Sequence, residues 1–403
     1  MEAILAAKQR MEYLEERVKE LEAALASASV AGTPTPPPAS APGLRIVIKV
    51  GTSSLVDIDE GIKLGHVAAI VETVAKLRRA NHQVLLVSSG AVGTGAHELG
   101  IKTRPKAIAM KQALAAVGQV RLMRELNSML ATSGISSAQI LLTYGNLIER
   151  TQYGNAKDTI QELFRLGVVP IVNENDSVAT EELRFGDNDR LSAMVACLVN
   201  ADMLILLTDV NGVYTANPNV DPTARRIEEI QDVVQHRKEI STGGTSEFST
   251  GGMDSKLEAA QIATKSGVRT VVMLSTDVRK VVEDNGLVPT AAAPHPITGT
   301  RRWIHSLPTR GKVLVDAGAA KAMKEYSNLF AAGVKQVEGN FHALDPVAIC
   351  SLETGLVLGT GLTNISALDL KSILHKTKQE AVAILGSELA LLPVVDRHYL
   401  VLV

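Results

Sequence analysis

The sequence predicts an α/β fold, with a mainly parallel sheet sandwiched by helices, a small β-rich C-terminal domain and an N-terminal coiled-coil helix. Three observations lead to this prediction. Six short apolar runs alternate with helical stretches between residues 44 and 300, which is typical of strands buried on both faces of a parallel sheet. The pattern changes to short strand-like runs with Gly and Asp over residues 309–403. At the N-terminal end, a heptad seam precedes a Pro-rich linker.

Residues 1–30 carry apolar side chains at alternating steps of three and four, which is the spacing of a coiled-coil seam. The a and d positions of this seam are Ile4, Ala7, Met11, Leu14, Val18, Leu21 and Leu25. Barely three heptads are short for an independent coil, so a single helix docked on its own domain is the alternative. Residues 31–43, AGTPTPPPASAPG, contain five prolines and are predicted to form an extended linker.

Residues 44–300 are predicted to form the α/β domain. Its six strand-like runs are, in order, LRIVIKV, QVLLVSS, AQILLT, VVPIVNEN, MLILLTD and RTVVML. Helical periodicity is found between them, for example over His66–Ala80, Lys111–Leu130 and Asn155–Leu166. Residues 309–403 are predicted to form the separate β-rich domain, with the runs KVLVD, VAICSLE and LVLGTGL.

Composition and charge argue against several classes of function. The 403-residue chain has 41 Lys and Arg residues against 43 Asp and Glu residues, so no overall basic field draws it to nucleic acid or an anionic membrane. No apolar stretch reaches the roughly 18 residues of a membrane span. The two cysteines lie in apolar runs, as buried thiols do, and a cytoplasmic location is expected. The histidines lack the spacing of metal ligands, so no metal site is predicted.

Ligands of open parallel sheets bind beyond the carboxyl ends of the strands, so the polar residues there are the candidates for a site. Lys49 is the penultimate residue of the first run, and Gly51 then opens a turn rich in hydroxyl groups. Such a turn lets backbone N–H groups approach phosphate oxygens while the lysine supplies positive charge. The second run ends in Ser89, which is followed by three glycines within six residues, Gly90 to Gly95. This spacing indicates an anion cradle at a helix N-terminus, and a tight strand-to-helix connection is the alternative.

The fourth run ends in one polar cluster, and a second polar cluster follows it. Residues 173–176 read Asn-Glu-Asn-Asp, and residues 186–189 read Gly-Asp-Asn-Asp at the start of the next helix. Carboxamides and carboxylates of this kind suit a small zwitterion. The simpler alternative is that Asp187 or Asn188 only caps the helix.

The fifth run ends in Thr208 and Asp209, and a Gly-rich loop extends from Ser249 to Lys256 at the start of another helix. The loop is interpreted as a second phosphate cradle with a second lysine, and a disordered Gly/Ser loop is the alternative. Two lysines, two cradles and no protein nucleophile together imply phosphoryl transfer by positioning and charge neutralisation.

Six strings resemble the glutamate 5-kinase family of the amino-acid kinase superfamily, and they occur in the family's order from Leu44 to about residue 300. These strings are KVGTSSL, VSSGAVGTG, NENDSVAT, FGDNDRLSA, LTDVNGVYTANP and STGGMDSK. The stretch from Arg310 onward, with GKVLVDAGAAKAM and VEGNFHALDPVAIC, is similar to the PUA domain that many of these enzymes carry. The N-terminal helix and the linker fall outside the family pattern.

The resemblance implies an amino-acid kinase fold and ATP-dependent phosphorylation of the L-glutamate side-chain carboxylate to L-glutamyl 5-phosphate, the first step of proline biosynthesis. It also implies feedback inhibition by proline at or near the glutamate site. A homo-oligomer, either a dimer or a tetramer, is expected, and the N-terminal helix could pair chains. ATP is the implied co-substrate, and it carries most of the Mg²⁺ coordination, so no protein metal ligand is named.

The resemblance also implies residue roles. Lys49 and Lys256 would neutralise the phosphates during transfer, and Asp189 would hold both lysines in place. The positions that match glutamate binding are Ser89, Asp176 and Asn188. The positions that match ATP binding are Lys49, Gly51, Thr208, Asp209, Thr250, Gly251, Gly252, Met253, Asp254, Ser255 and Lys256.

Three other functions are compatible with parts of this sequence. Kinases for aspartate, acetylglutamate, carbamate or uridylate would share the sheet and the lysines, but the strings SSGAVGTG and NENDSVAT favour glutamate. RNA binding by the C-terminal domain is not expected, because residues 309–403 contain nine basic and nine acidic side chains. A scaffold built on an inactive kinase domain is disfavoured, because Lys49, Asp189 and Lys256 are all present.

Overall fold

The chain divides into two units, Met1–Gly43 and Leu44–Val403. The computed structural model describes residues 43–103, 105–179, 188–216, 221–233, 235–236, 252–283, 303–304, 306–307, 309–325 and 327–402. The predicted coiled-coil helix over residues 1–30 lies outside the described residues, as does the predicted linker up to residue 42. All elements below therefore belong to the second unit.

The described residues from Leu44 to Glu283, which are called the first part of this unit, contain ten strands. They are β1 (Arg45–Val50), β2 (Val56–Asp57), β3 (Gly61–Ile62), β4 (Gln83–Ser88), β5 (Ser137–Leu142), β6 (Val169–Glu174), β7 (Met203–Thr208), β8 (Val213–Tyr214), β9 (Arg226–Ile227) and β10 (Arg269–Leu274). Six of them form one sheet in the order β10-β7-β1-β4-β6-β5. All five neighbouring pairs are parallel, and each of the six predicted apolar runs forms one of these strands.

Helices connect the strands of this sheet. They are α1 (Thr52–Leu55), α2 (Leu64–Arg79), α3 (Ala91–Glu98), α4 (Ile108–Thr132), α5 (Tyr144–Ile148), α6 (Arg150–Arg165), α7 (Asp189–Leu198), α8 (Met253–Lys265) and α9 (Lys280–Glu283). The three predicted helical stretches correspond to α2, α4 and α6, each with bounds shifted by a few residues. The α/β prediction is confirmed.

Successive side chains of β1 pack on opposite faces of the sheet, as the period of a strand requires. Ile46 and Ile48 join one buried cluster, to which α2 and α4 contribute. Val47 joins a second cluster, to which α6, α7 and α8 contribute. Lys49 has the same strand parity as Val47, so the lysine lies on the α7 and α8 face, one residue before the strand ends.

Helices α3 and α4 cross at two glycines. A Cβ on Gly95 would lie 1.9 Å from the carbonyl oxygen of Leu114, and a Cβ on Gly118 would lie 1.9 Å from that of Ala91. The backbones therefore approach too closely for any side chain. The interpretation of Gly90 to Gly95 as one anion cradle needs correction, because Gly95 serves helix packing. Gly90, with a φ of 100°, allows the turn before α3, since only glycine adopts this conformation readily.

The second part of the unit is a five-stranded sheet with short helices. Its strands are β11 (Gly311–Val315), β12 (Val334–Gly339), β13 (Pro346–Ser351), β14 (Val357–Thr363) and β15 (Val395–Leu402), in the order β12-β11-β13-β14-β15. Its helices are α10 (Ala317–Lys324), α11 (Ala367–Ser372), α12 (Lys378–Leu385) and α13 (Ser387–Leu391). The three predicted runs form β11, β13 and β14, whereas β12 and β15 were not among them. The predicted β-rich domain is confirmed.

The second sheet packs on the first part through α6. Arg150 Nη1 donates a hydrogen bond of 2.8 Å to the Tyr399 hydroxyl, and the guanidinium lies 5.4 Å from the centre of the tyrosine ring. Leu362 and Val401 join the buried cluster of the α7 and α8 face. In the part of the chain that the structure describes, no helix is both long and apolar enough to span a membrane.

Candidate active site

The carboxyl ends of four neighbouring strands, β1, β4, β6 and β7, surround a cavity of about 590 Å³. Nine of the predicted site residues line it, namely Lys49, Gly51, Ser89, Asp176, Asn188, Thr208, Asp209, Gly252 and Lys256. These residues are spread along the sequence from Lys49 to Lys256. The parallel order brings them together, because every strand in the sheet ends at the same edge.

A buried carboxylate between two lysines is the main electrostatic feature of this edge. Asp189 is the first residue of α7 and is fully buried. Its Oδ1 lies 2.5 Å from Lys49 Nζ, and its Oδ2 lies 3.1 Å from Lys256 Nζ. Burying a charge is costly unless it is paired and hydrogen bonded, and here each carboxylate oxygen meets an ammonium group. Two positive charges face one negative charge, so the trio carries net positive charge at the cavity wall.

The first turn of α8 supplies one of these lysines. Lys256 Nζ also donates to the carbonyl oxygen of Gly252 at 3.0 Å, and the Ser255 hydroxyl donates to Asp189 Oδ2 at 2.9 Å. Met253 packs against the buried cluster of this face, which anchors the turn, and Asp254 is exposed. The helix N-terminus and its lysine together favour bound anions. Thr250 and Gly251 lie outside the described residues.

A chain of amides lies beside the charged trio. Asn188 Nδ2 donates to the Ser88 carbonyl oxygen at 2.6 Å and to Asn173 Oδ1 at 2.8 Å. Asn173 Nδ2 in turn donates to Gln119 Oε1 at 2.7 Å. Although Asn188 occupies the N-cap position of α7, its side chain makes no capping hydrogen bond. The simple capping alternative for Asn188 is therefore wrong.

The predicted nucleotide positions Thr208 and Asp209 follow directly at the end of β7. The Thr208 hydroxyl donates to Asp209 Oδ1 at 3.1 Å, which orients the carboxylate. Gly51 follows the neighbouring strand β1, and a Cβ there would be 3.7 Å from Lys49 Nζ. The absence of a side chain at Gly51 therefore keeps the space beside the Lys49 ammonium open for an anion.

The sequence prediction of the site missed several residues. Asn173 and Glu174 belong to the polar cluster of residues 173–176, for which the sequence predicts no individual role at these two positions, and both line the cavity. Lys111, which begins a predicted helix, lines it too. Gln119 contacts Asn173 from the middle of α4, 54 residues away in sequence. The local sequence does not mark Gln119 as a site residue, because glutamine is common on the exposed faces of helices and nothing near it in the sequence shows that it is buried.

Comparison with known proteins agrees with this geometry. Residues 44–275 match the model of the amino acid kinase family, and residues 311–385 match the PUA domain. The chain is 46% identical over 350 residues to the glutamate 5-kinase of Synechococcus elongatus, covering 85% of this chain and 95% of the relative. It is 44% identical over 354 residues to the glutamate 5-kinase of Gloeobacter violaceus, covering 86% and 95% of the two chains. With nearly half of its residues identical over almost the whole length of these relatives, the chain belongs to the glutamate 5-kinases of the amino acid kinase family.

Proposed function

We propose that the protein transfers the γ-phosphoryl group of ATP to the side-chain carboxylate of L-glutamate, giving L-glutamyl 5-phosphate and ADP. This reaction would be the first step of proline biosynthesis. The observation that carries the proposal is the buried trio of Lys49, Asp189 and Lys256 at the cavity wall, in a chain that belongs to the glutamate 5-kinases.

The chemistry of the acceptor matches a site without a general base. A glutamate side chain has a reference pKa near 4.3, so it is already an anion at neutral pH. One of its oxygens forms a bond to the γ-phosphorus, and the bond from that phosphorus to the β,γ-bridging oxygen breaks. No proton has to move. The obstacle is the repulsion between the carboxylate and the triphosphate, and the ammonium groups of Lys49 and Lys256 reduce it.

The remaining roles divide between the two substrates. Ser89, Asp176 and Asn188 are proposed to bind L-glutamate, and their place on the cavity wall supports this. ATP is proposed to contact Gly51, Thr208, Asp209 and the segment from Thr250 to Lys256. Support comes from the cavity lining at Gly51, Thr208, Asp209 and Gly252 and from the α8 N-terminus. The domain bounds of 44–300 and 309–403 also stay predictions.

Magnesium is proposed to enter with ATP and to be bound mainly by phosphate oxygens and water, the usual arrangement for this ion. The cavity fits such an ion, because Asp176 and Asp209 bring carboxylate oxygens to its wall, and Mg²⁺ prefers oxygen ligands. No protein ligand is assigned to it. When bound, it would neutralise charge on the phosphate oxygens.

Regulation, assembly and location complete the proposal. Proline would inhibit by binding at or near the glutamate site. The chain would form a dimer or a tetramer, and the heptad seam of residues 1–30 supports pairing of chains. A cytoplasmic location is supported by Cys197 and Cys350, two buried cysteines that form no disulfide, because thiols stay reduced in such compartments.

The test is turnover of ATP by the purified protein with L-glutamate, L-aspartate, N-acetyl-L-glutamate, carbamate and UMP as separate acceptors. Hydroxylamine traps acyl phosphates as hydroxamates, so the product of each carboxylate acceptor can be identified. We expect hydroxamate with L-glutamate, and we expect added proline to suppress it. Turnover with a different acceptor alone would overturn the choice of substrate while leaving the lysine roles intact.

A further inference from the structure

The amide chain beside the charged trio has a polarity that the backbone imposes. The Glu174 backbone N–H donates to Asn173 Oδ1 at 2.8 Å, and a backbone N–H cannot accept. Asn173 must therefore turn its oxygen toward Glu174 and its nitrogen toward Gln119. The orientation of this amide is set by a main-chain group and by Gln119, whose Oε1 accepts from Asn173 Nδ2 at 2.7 Å.

The same reasoning fixes Asn188. Its side chain faces two acceptors, Asn173 Oδ1 at 2.8 Å and the Ser88 carbonyl oxygen at 2.6 Å. An amide oxygen turned toward them would meet two other oxygens, so the nitrogen must face both. The two hydrogens of an amide nitrogen are then used. Among the described residues, the Oδ1 atom of Asn188 accepts no hydrogen bond, and Asn188 lines the cavity.

The position of Gln119 is unfavourable in free energy for its own amide nitrogen. Its side chain is 91% buried, and its Nε2 atom has no hydrogen-bond partner among the described residues. A buried donor without a partner is unfavourable. Turning the amide over would not help, since Nε2 would then face the Asn173 nitrogen. Gln119 therefore contributes its acceptor oxygen to Asn173 and leaves its donor unused.

Helix α4, which carries Gln119, packs against the start of α3, close to the end of β4 that Asn188 contacts. Gly118, one residue earlier, lies so close to α3 that a Cβ would be 1.9 Å from the Ala91 carbonyl oxygen. Helix α3 begins at Ala91, three residues after Ser88. The close contact between Gly118 and Ala91 thus fixes the distance between Gln119 and Ser88, the end of β4, whose carbonyl oxygen orients Asn188.

We propose that Gln119 is a positioning residue for substrate recognition. Through Asn173 it holds the Asn188 amide with the nitrogen turned to Ser88, so that only Oδ1 of Asn188 remains for a ligand. That oxygen accepts a hydrogen bond from the α-ammonium group of L-glutamate. An acceptor aimed at this group selects the amino acid over a dicarboxylate of the same length. This inference rests on the proposed glutamate kinase activity.

The test compares L-glutamate with glutarate, which keeps both carboxylates and lacks the ammonium group. Gln119→Met keeps the length of the side chain and removes the acceptor. We expect it to raise KM for L-glutamate about tenfold or more, the effect of one lost hydrogen bond to a charged group. The KM for glutarate and the kcat at saturating L-glutamate should stay within about threefold, because neither depends on that bond.

Two further variants separate positioning from packing. Gln119→Glu keeps an acceptor oxygen, and burial favours the neutral acid, which has an acceptor and a donor as the amide does. The KM of Gln119→Glu for L-glutamate should therefore be closer to that of the wild type than the KM of Gln119→Met is. Leu126→Val on the same helix removes a buried methylene without touching the amide chain. It should lower the melting temperature and leave the KM ratio of the two acceptors unchanged.

Several results would overturn the proposal. One is an equal rise of both KM values in Gln119→Met, and another is no rise at all. A third is a Gln119→Glu enzyme as impaired as Gln119→Met. If Gln119→Met does not fold, Gln119→Asn carries the same prediction, because it stays polar but is one methylene too short to reach Asn173. A wild-type enzyme without activity on L-glutamate would instead overturn the proposed function, and this inference with it.

Discussion

Two Lys–Asp ion pairs, one at the end of the parallel sheet and one in the C-terminal sheet, have the same chemistry in different surroundings. Lys49 and Asp189 lie 2.5 Å apart, with 4% and 0% of their side chains exposed. Lys335 and Asp316 lie 3.0 Å apart, with 34% and 38% exposed. Water screens the second pair, and such pairs contribute about 0–1 kcal/mol. The first pair is removed from water, so its charges are compensated inside the protein, where Asp189 pairs with Lys256 as well as with Lys49.

The comparison teaches that burial, rather than the residue types, decides what a Lys–Asp pair can do. A buried pair is weak support for stability as such, because desolvation offsets the attraction. It does, however, hold charges in fixed positions with no water to screen them. Such a preorganised field stabilises developing charge in a transition state. The exposed pair in the C-terminal sheet has no comparable field.

The largest expected effect follows from removing the shared anion. Asp189→Asn removes the buried carboxylate that pairs with both Lys49 and Lys256, and breaking a buried pair in this way costs about 3–5 kcal/mol in free energy of unfolding. Urea unfolding of the full chain measures it. The matched control is Asp316→Asn, which should cost less than about 1 kcal/mol because its pair is exposed. Equal losses in the two variants would remove the distinction between the pairs.

Removing one cation should spare the fold and reduce catalysis. In Lys49→Ala or Lys256→Ala, Asp189 keeps one ammonium partner, so the site stays paired. Loss of one preorganised charge costs about 3–4 kcal/mol in the transition state, or a hundredfold or more in kcat. Steady-state turnover with L-glutamate checks this, with circular dichroism to confirm folding.

Lys335→Ala is the control, and its kcat should equal that of the wild type. Near-normal kcat in either active-site variant would rule out the proposed role of that lysine.

The contact between α3 and α4 at Gly118 offers a second comparison of a buried position with an open one, this time in the backbone. Gly118→Ala would place a methyl group 1.9 Å from the Ala91 carbonyl oxygen, and such overpacking typically costs about 1–3 kcal/mol. Gly154→Ala in α6 is the control, because a Cβ there meets nothing within 4 Å. It should raise stability by about 0.4–1 kcal/mol by restricting the unfolded chain. Differential scanning calorimetry would show a lower melting temperature for the first variant and a higher one for the second. Equal shifts in the same direction would contradict the close contact.

The smallest effect is expected at the exposed pair. Asp316 caps α10 by accepting a hydrogen bond from the Ala319 N–H at 2.8 Å. This bond, and then the bond from Lys335, lower the pKa of Asp316 below its usual 3.8. Asp316→Ala should cost about 1 kcal/mol at pH 7, the usual value for an N-cap.

The pH dependence of that cap has a definite sign. Because the folded pKa of Asp316 is depressed, its stabilising contribution is present above the unfolded pKa and is lost as pH falls through the folded value. The stability difference between wild type and Asp316→Ala should therefore shrink below about pH 3.8. Chemical unfolding at pH 7 and pH 3 measures this, and a difference that grew toward pH 3 would contradict it.

Much of the fold could be predicted from the sequence, because strands that are buried on both faces appear as short, continuous apolar runs. The six runs of the parallel sheet were found for this reason. Strands β12 and β15 were missed because they carry charged and exposed residues, as in VKQVEG and VDRHYLVL. A strand that is half exposed has a weak apolar signal, and its pairing partners supply the rest of its stability.

The sequence by itself determined which charged and polar groups reach the end of the parallel sheet. Lys49, Asp189 and Lys256 each stand next to a strand or at a helix start, and the topology of parallel sheets sends all of these positions to one edge. The family resemblance implied that Asp189 holds both lysines, but only the tertiary structure assigned one carboxylate oxygen to each lysine. Only it placed Gln119 beside Asn173, and it assigned Gly95 to helix packing. The physical reason is that contacts between residues far apart in sequence depend on how whole elements pack, and local patterns do not record that packing.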